Sequence, residues 1–152
     1  MIAMAIILLL ATIVTTVWKS ISPKLVEARC LSNMRSIHIS LSNYLSDVGT
    51  WPQIPLDLDT TDQAYEAWWL WTMEPFGAPE KIWKCPVLSK ARVTDADGYE
   101  LRMHYIPADF DANPISPRRW SNMPWLIERG NNHGRGALIA FPDGSIRSSL
   151  TQ

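Results

Sequence analysis

The chain has 152 residues, a formal net charge of −1 at pH 7 and a sequence isoelectric point of about 6.3. This balance argues against nucleic acid as a partner, because nucleic-acid binding calls for a basic surface. Once one apolar segment is set aside, the length suffices for a single domain. Eight Trp and eleven Pro favour a compact, loop-rich domain over a disordered stalk.

The first eighteen residues, 1–18, contain no charged side chain. On one helix they would extend roughly 27 Å at 1.5 Å per residue, close to the hydrocarbon thickness of about 30 Å. We therefore predict a membrane-spanning helix over residues 1–18. A signal peptide is disfavoured because no Lys or Arg precedes Lys19. A buried core helix is disfavoured because a small domain cannot surround a helix that is apolar on all faces.

The charges that follow this segment bear on its orientation. Lys19, Lys24, Arg29 and Arg35 come after the apolar run, and no basic residue precedes it. Taken alone, the positive-inside tendency would place the following domain in the cytoplasm.

Residues 19–48 are predicted to continue the helix with one apolar side. Pro23 is expected to kink or briefly break it. Spacings of four and three residues then define an apolar stripe on a helix over residues 24–47. Its members are Cys30, Met34, Ile37, Leu41, Tyr44 and Val48. Gly49 should end the helix and Trp51–Pro52 should begin an extended segment.

A second helix is predicted from about Thr60, with Thr60 as its cap and Gln63 completing a capping box. Ala64, Trp68 and Trp71 would share one face, and Pro75 would end the helix. The run 68–71 contains three Trp, which in principle form a platform for stacking sugars. We favour core packing with one exposed ring, because neighbouring side chains on a helix point in different directions.

Strands follow the helices. Residues 99–105 alternate apolar and polar, which predicts a strand with His104 on its wet face. Residues 125–127 form a short strand, and residues 137–141 and 145–150 form a hairpin around a type I turn at Pro142-Asp143-Gly144. The predicted fold is therefore α+β, with a long N-terminal helix packed on a small antiparallel sheet and a globular domain over residues 49–152.

Metal and calcium motifs are weak. His38, His104 and His133 lack the spacing of a local metal site, so structural or surface roles are favoured. The series Asp109-x-Asp111-x-Asn113 resembles a calcium loop but has Pro114 and Trp120 where Gly and a bidentate acid belong. Asp95, Asp97 and Glu100 are interpreted as a solvated turn, with a calcium loop as the less favoured alternative.

No catalytic arrangement emerges from the sequence. It contains no Gly-rich phosphate loop, no nucleophile elbow and no Ser/His/Asp pattern, and Cys85 has no local activating base. We therefore expect a protein that is not an enzyme and that has no cofactor. Cys30 lies on the apolar stripe and Cys85 follows the second helix, so the two can approach the same core edge. They are either a disulfide or two separate buried thiols.

Four stretches taken in this order resemble the type IV pilin-like proteins. They are IAMAIILLLATIV, ARCLSNMRSIHISLSNYLSDVGTWP, Trp83-Lys84-Cys85-Pro86 and the segment from His133 to Gly144. The resemblance is to the G-type pseudopilins of type II secretion, and in particular to prepilin-like proteins of planctomycetes and verrucomicrobia. These share a Cys-x-x-Asn segment, a Cys-Pro element and a C-terminal His-x9-Asp-Gly pattern. The matching residues, with a structural role implied, are Cys30, Asn33, Arg35, Trp51, Pro52, Cys85, Pro86, His133, Asp143 and Gly144.

The resemblance implies a pseudopilin or minor-pilin subunit. Residues 1–18 would lie in the inner membrane and later in a filament core, meeting lipid and then other pilin-like subunits. The helix positions concerned are Ile2, Ile6, Leu9, Ile13, Val17 and the assembly-related Pro23. An inner-membrane assembly platform would be a further partner, the domain would be periplasmic, and family members are processed and methylated at the N-terminus.

One departure concerns the N-terminus. The family has a basic leader, a Gly before the cleavage site and a mature start with a Glu, and Met1 aligns just after that Glu. We expect these residues upstream of Met1, where a basic leader would direct the domain outward. Two other classes remain: an anchored binding module that uses exposed rings at Trp68, Trp69 or Trp120, and an anchored hydrolase that joins His133 and Asp143 in one cleft.

Overall fold

The structure, a computed structural model, describes the backbone of residues 2–134 and 136–150, with side chains from residue 24 onward except those of residues 90 and 135. The architecture is α+β, as the sequence predicts. The helices are α1 (Ile2–Val48), α2 (Asp62–Met73), α3 (Leu88–Ala91) and α4 (Ser116–Arg119), with 3-10 turns at Glu74–Phe76 and Glu80–Trp83. The strands are β1 (Tyr105–Pro107), β2 (Leu126–Glu128), β3 (Leu138–Ala140) and β4 (Ile146–Ser148).

The four strands form one antiparallel sheet in the order β1-β2-β3-β4. Strands β3 and β4 are the predicted hairpin, with Leu138 opposite Ser148 and Ala140 opposite Ile146. Its turn closes where Gly144 N–H donates to the carbonyl of Phe141 at 2.9 Å. Gly144 has a φ of +78°, a conformation that glycine adopts without steric cost.

Helix α1 has 47 residues and runs through Pro23, so the predicted break there is wrong. A proline removes one backbone hydrogen bond from a helix. In a helix of this length, the backbone hydrogen bonds before and after the proline remain and hold the helix together. The helix ends as expected at Gly49, whose N–H donates to the Leu45 carbonyl at 3.1 Å. The side chains of the predicted membrane segment, residues 1–18, lie outside the described part of the chain. Among the residues whose side chains are described, no helix is both long and apolar enough to cross a bilayer.

The apolar stripe of α1 packs into the core, with one shift in register. Cys30, Met34, Ile37 and Leu41 are all fully buried, as predicted. The next buried position is Leu45, whereas Val48 is 50% exposed. Tyr44 is partly buried and packs against the core. Strict alternation of three and four residues averages 3.5 per turn and drifts around a straight helix of 3.6, so the last predicted position, Val48, rotates away from the core.

Helix α2 differs from the prediction in its cap and in its buried face. Thr61, and not Thr60, is the cap, since its hydroxyl accepts the N–H of Ala64 at 3.3 Å. The buried residues are Glu66, Trp69, Leu70 and Met73, so the predicted shared face of Ala64, Trp68 and Trp71 is not the buried one. Trp71 is 76% exposed and Trp69 is fully buried, so the run of Trp does contribute core packing and one exposed ring.

The predicted strand over residues 99–105 is largely replaced by contacts to side chains and loops. The N–H groups of Arg102 and Met103 donate to the two carboxylate oxygens of Glu66, at 2.7 and 3.1 Å. The N–H of His104 donates to the Trp83 carbonyl at 2.8 Å. His104 is therefore only 2% exposed, and its predicted place on a wet face is wrong.

Trp51 lies at the centre of the aromatic core. Its ring makes edge contacts with Trp69, Phe110 and Trp125, with centroids 6.5, 4.8 and 5.2 Å apart. Such pairs add about 0.5–1.5 kcal/mol each beyond the area they bury. The motif residues Trp51 and Pro52 thus connect the end of α1 to α2 and to the strand β2 region.

Candidate functional site

Four potential metal-binding side chains meet beside the sheet. They are Cys30 of α1, Cys85 after the second 3-10 turn, Glu128 at the end of β2 and His133 before β3. One donor atom from each lies within 4.8 Å of every other. Both cysteines are fully buried, and the side chains of Glu128 and His133 are 0% and 5% exposed. We refer to these four residues as the Cys/Glu/His cluster.

The two sulfurs of the cluster are in direct contact. Sγ of Cys30 and Sγ of Cys85 are 2.8 Å apart, and both residues are free thiols in this structure. The hydrogen bond from Cys85 lowers the pKa of Cys30, while that bond and burial together raise the pKa of Cys85. The sequence expectation that these residues approach one core edge agrees with this geometry.

The other half of the cluster is a buried acid–imidazole pair. Nε2 of His133 lies 3.2 Å from Oε1 of Glu128, and Oε2 of Glu128 accepts the N–H of Leu138 at 3.3 Å. The pair closes the loop of residues 129–132 between β2 and β3. His133 therefore binds an acid at a strand end, as its position before β3 predicts. A carboxylate withdrawn from water in this way needs a positive or hydrogen-bonding partner to offset its lost hydration.

Neighbouring polar groups hold the cluster residues in place. Nδ2 of Asn33, one turn beyond Cys30 on α1, donates to the Lys84 carbonyl at 3.1 Å. The N–H of Cys85 donates to Nδ1 of His104 at 2.9 Å, and burial lowers the pKa of His104. These bonds explain why the Cys-x-x-Asn and Cys-Pro elements belong together, since Asn33 aligns the segment that carries Cys85.

The motif residues therefore divide into two groups. Cys30, Asn33, Cys85 and His133 gather at the cluster, although up to 103 positions separate them along the sequence. Asp143 and Gly144 lie instead in the turn between β3 and β4, and Arg35 is exposed on α1. Pro86 follows the cluster residue Cys85 and is half-buried.

The hydrolase alternative required His133 and Asp143 to share a cleft. Asp143 is exposed and its carboxylate accepts the N–H of Ser145 at 2.9 Å. The side chain of Ser145, together with its backbone N–H, lowers the pKa of Asp143. His133 binds Glu128 at the opposite end of β3. The two residues thus serve separate local structures, which matches the architectural role predicted for each.

In each of the two calcium-like loops, an aspartate accepts hydrogen bonds from backbone N–H groups of the same loop. Oδ1 of Asp95 accepts the N–H groups of Asp97 and Tyr99, at 2.9 and 2.8 Å. Asp111 likewise accepts the N–H of Asn113, whose own side chain accepts the N–H of Ile115. These are turn-forming contacts of the kind that Asp and Asn commonly make.

Of the three rings named for the binding-module alternative, Trp120 is exposed, whereas Trp68 and Trp69 are not. Trp69 is fully buried and Trp68 is half-buried. Trp120 is 49% exposed, but the guanidinium of Arg119 covers its ring at 4.8 Å from the centroid. Trp71, which the binding-module alternative does not name, is 76% exposed.

Two residues of the site escaped the sequence analysis. Glu128 follows the predicted strand 125–127, and with a period of two it shares the buried face of Leu126, so strand alternation offered a usable signal. His104 was assigned to the wet face by the same rule, and no local pattern indicates that its ring accepts a backbone N–H from Cys85.

Comparison of the chain with protein-family models, with curated proteins and with solved structures gives no match.

Proposed function

We propose that this protein is a structural subunit of a type IV pilin-like filament, a pseudopilin or minor pilin. The observation that carries the proposal is the division of α1. Its last part places Cys30, Met34, Ile37 and Leu41 in the domain core, whereas the sequence of its first part, residues 1–18, has no charge. One helix thus joins a segment of bilayer length to a folded domain.

The mechanism follows from the two uses of that helix. Before assembly, residues 1–18 would sit in the inner membrane, and the domain would face the periplasm. In a filament, the same apolar side chains would exchange lipid for neighbouring helices, so that association costs little desolvation. The α+β domain, with a long helix and an antiparallel sheet, is compatible with a pilin-like arrangement.

A membrane and crosslinking experiment tests the proposal. The full chain and a chain that begins at Ser22 would be expressed in a Gram-negative host and fractionated. The full chain should sediment with inner membranes, and the shortened chain should be soluble and folded. Recovery of the full chain as a soluble monomer without detergent would contradict the proposal.

Self-association is tested in the same membranes with a photoreactive amino acid. Placed at Leu9, it should give chain-to-chain crosslinks when the assembly platform is supplied. Placed at Asp97, on an exposed turn of the domain, it serves as the matched control. Membrane insertion with no crosslink at Leu9 would favour a lone anchored module over a filament subunit.

A further inference from the structure

We propose that the Cys/Glu/His cluster is a structural binding site for a zinc-class divalent cation. Zinc is held in proteins by cysteine sulfur, histidine nitrogen and carboxylate oxygen, and its structural sites have four ligands in a closed tetrahedron. Cys30, Cys85, Glu128 and His133 supply that donor set within one buried region. This inference is independent of the filament proposal, since it concerns how the domain is held together.

The distances fit a tetrahedral ion with a small adjustment. A nitrogen and an oxygen about 2.0 Å from zinc lie about 3.3 Å apart at the tetrahedral angle. Nε2 of His133 and Oε1 of Glu128 are 3.2 Å apart. Two sulfurs about 2.3 Å from zinc would lie about 3.8 Å apart, so the cysteine sulfurs, now at 2.8 Å, separate by roughly 1 Å on binding.

The charges also favour a cation. Glu128 is buried, and its partners are His133 and one backbone N–H. A disulfide between Cys30 and Cys85 would engage only the two sulfurs of the cluster. A divalent ion engages all four groups and offsets the cost of burying the carboxylate.

The surrounding hydrogen bonds are those that orient metal ligands in known sites. Oε2 of Glu128 is fixed by the Leu138 N–H, which leaves Oε1 directed to the cluster. Asn33 fixes the Lys84 carbonyl, and His104 fixes the N–H of Cys85. Such outer contacts set ligand geometry, and their removal typically weakens metal binding by about 10–100-fold.

Cobalt(II) is a suitable probe, because thiolate ligation gives an intense near-ultraviolet absorption and tetrahedral geometry gives strong visible bands. The full chain would be purified in mild detergent, reduced, freed of metal with a chelator and titrated anaerobically with Co²⁺. We expect one Co²⁺ per chain with a thiolate band, displacement of cobalt by Zn²⁺, and a melting temperature that rises when Zn²⁺ is added.

Variants assign the ligands. Cys30→Ser, Glu128→Gln and His133→Asn should each weaken cobalt binding by at least about tenfold, as a lost ligand costs no less than a lost outer contact. His38→Gln and Glu74→Gln are the matched controls, since His38 contacts Trp125 and Glu74 is exposed. Both controls should bind cobalt as the unaltered chain does.

Two results would overturn the proposal, and both can be obtained with the unaltered chain even if a variant fails to fold. The first is the absence of a thiolate–cobalt band in the reduced chain. The second is recovery of the chain from the periplasm without zinc and with a mass lower by two hydrogens, which indicates a Cys30–Cys85 disulfide. Membrane insertion and subunit crosslinking are unaffected by either result, so the filament proposal is tested separately.

Discussion

Replacing Leu41 by Ala tests whether the stripe of α1 is held by the domain core. Leu41 is fully buried on the same side as Ile37 and Leu45, and no part of its side chain reaches water. Three carbon atoms leave the core, which at about 0.8 kcal/mol per buried CH₂ gives about 2.4 kcal/mol for the transfer alone.

The cavity left behind adds to this cost. Leu-to-Ala changes in protein cores range from about 2 to 5 kcal/mol, and the upper values occur where the surroundings cannot collapse. Leu41 is 0% exposed in the core cluster that also holds Ile37, Leu45 and Trp51, so we expect a loss of about 3–4 kcal/mol in the free energy of unfolding.

The assay is equilibrium unfolding of the full chain in detergent, followed by Trp fluorescence. Trp51, Trp69, Trp83 and Trp125 are buried and report loss of the core. Leu25→Ala is the matched control, because Leu25 lies on the same helix but is 57% exposed. Its expected effect is within about 0.5 kcal/mol. Equal, small losses at both positions would show that the stripe does not depend on the domain core.

Three further predictions concern single contacts. Glu66→Gln should cost about 1–3 kcal/mol in unfolding experiments, since an amide cannot accept both backbone N–H groups, whereas exposed Glu74→Gln should be nearly neutral. Gly144→Ala should lower the free energy of unfolding by about 1–2 kcal/mol, because residue 144 has a positive φ. Gly144→Asn should lower it less, because Asn tolerates positive φ better than Ala does. Equal losses would indicate that any added side chain is crowded against His38. Burial lowers the pKa of His38, and Arg118 lowers it further, whereas the Pro142 and Phe141 carbonyls and Asp143 oppose this shift. The free energy of unfolding should therefore fall as the pH drops below about 6.5, the pKa of histidine in the unfolded chain. His38→Gln should flatten this pH dependence, and an unchanged slope would contradict the assignment to His38.

The elements that the sequence predicts correctly are those specified by local patterns. The stripe from Cys30 to Leu41 follows helical spacing, and the β3–β4 hairpin follows from Pro142-Asp143-Gly144 between two apolar runs. The helix end at Gly49 needs only a residue that tolerates positive φ. In each case, neighbours within a few positions determine the conformation.

The elements that it misses depend on partners far along the chain. Glu66 looks like a solvent-facing residue of α2, but its carboxylate is buried, where it accepts the N–H groups of residues 102 and 103. His104 is buried for a similar reason, because Cys85 and Trp83 bond to it across about 20 positions. The Cys/Glu/His cluster needs four such long-range placements at once, which no local spacing encodes.

The position of the cluster on α1 gives it a specific mechanical consequence in the filament that we propose. Cys30 is the first fully buried residue of α1 in the part of the chain whose side chains are described, so the helix enters the domain there. An ion or other cross-link between Cys30 and the residues at the end of β2 would tie the helix to the sheet at this point. In that filament, a pull on residues 1–18 would load such a link before it loads the stripe from Met34 to Leu45.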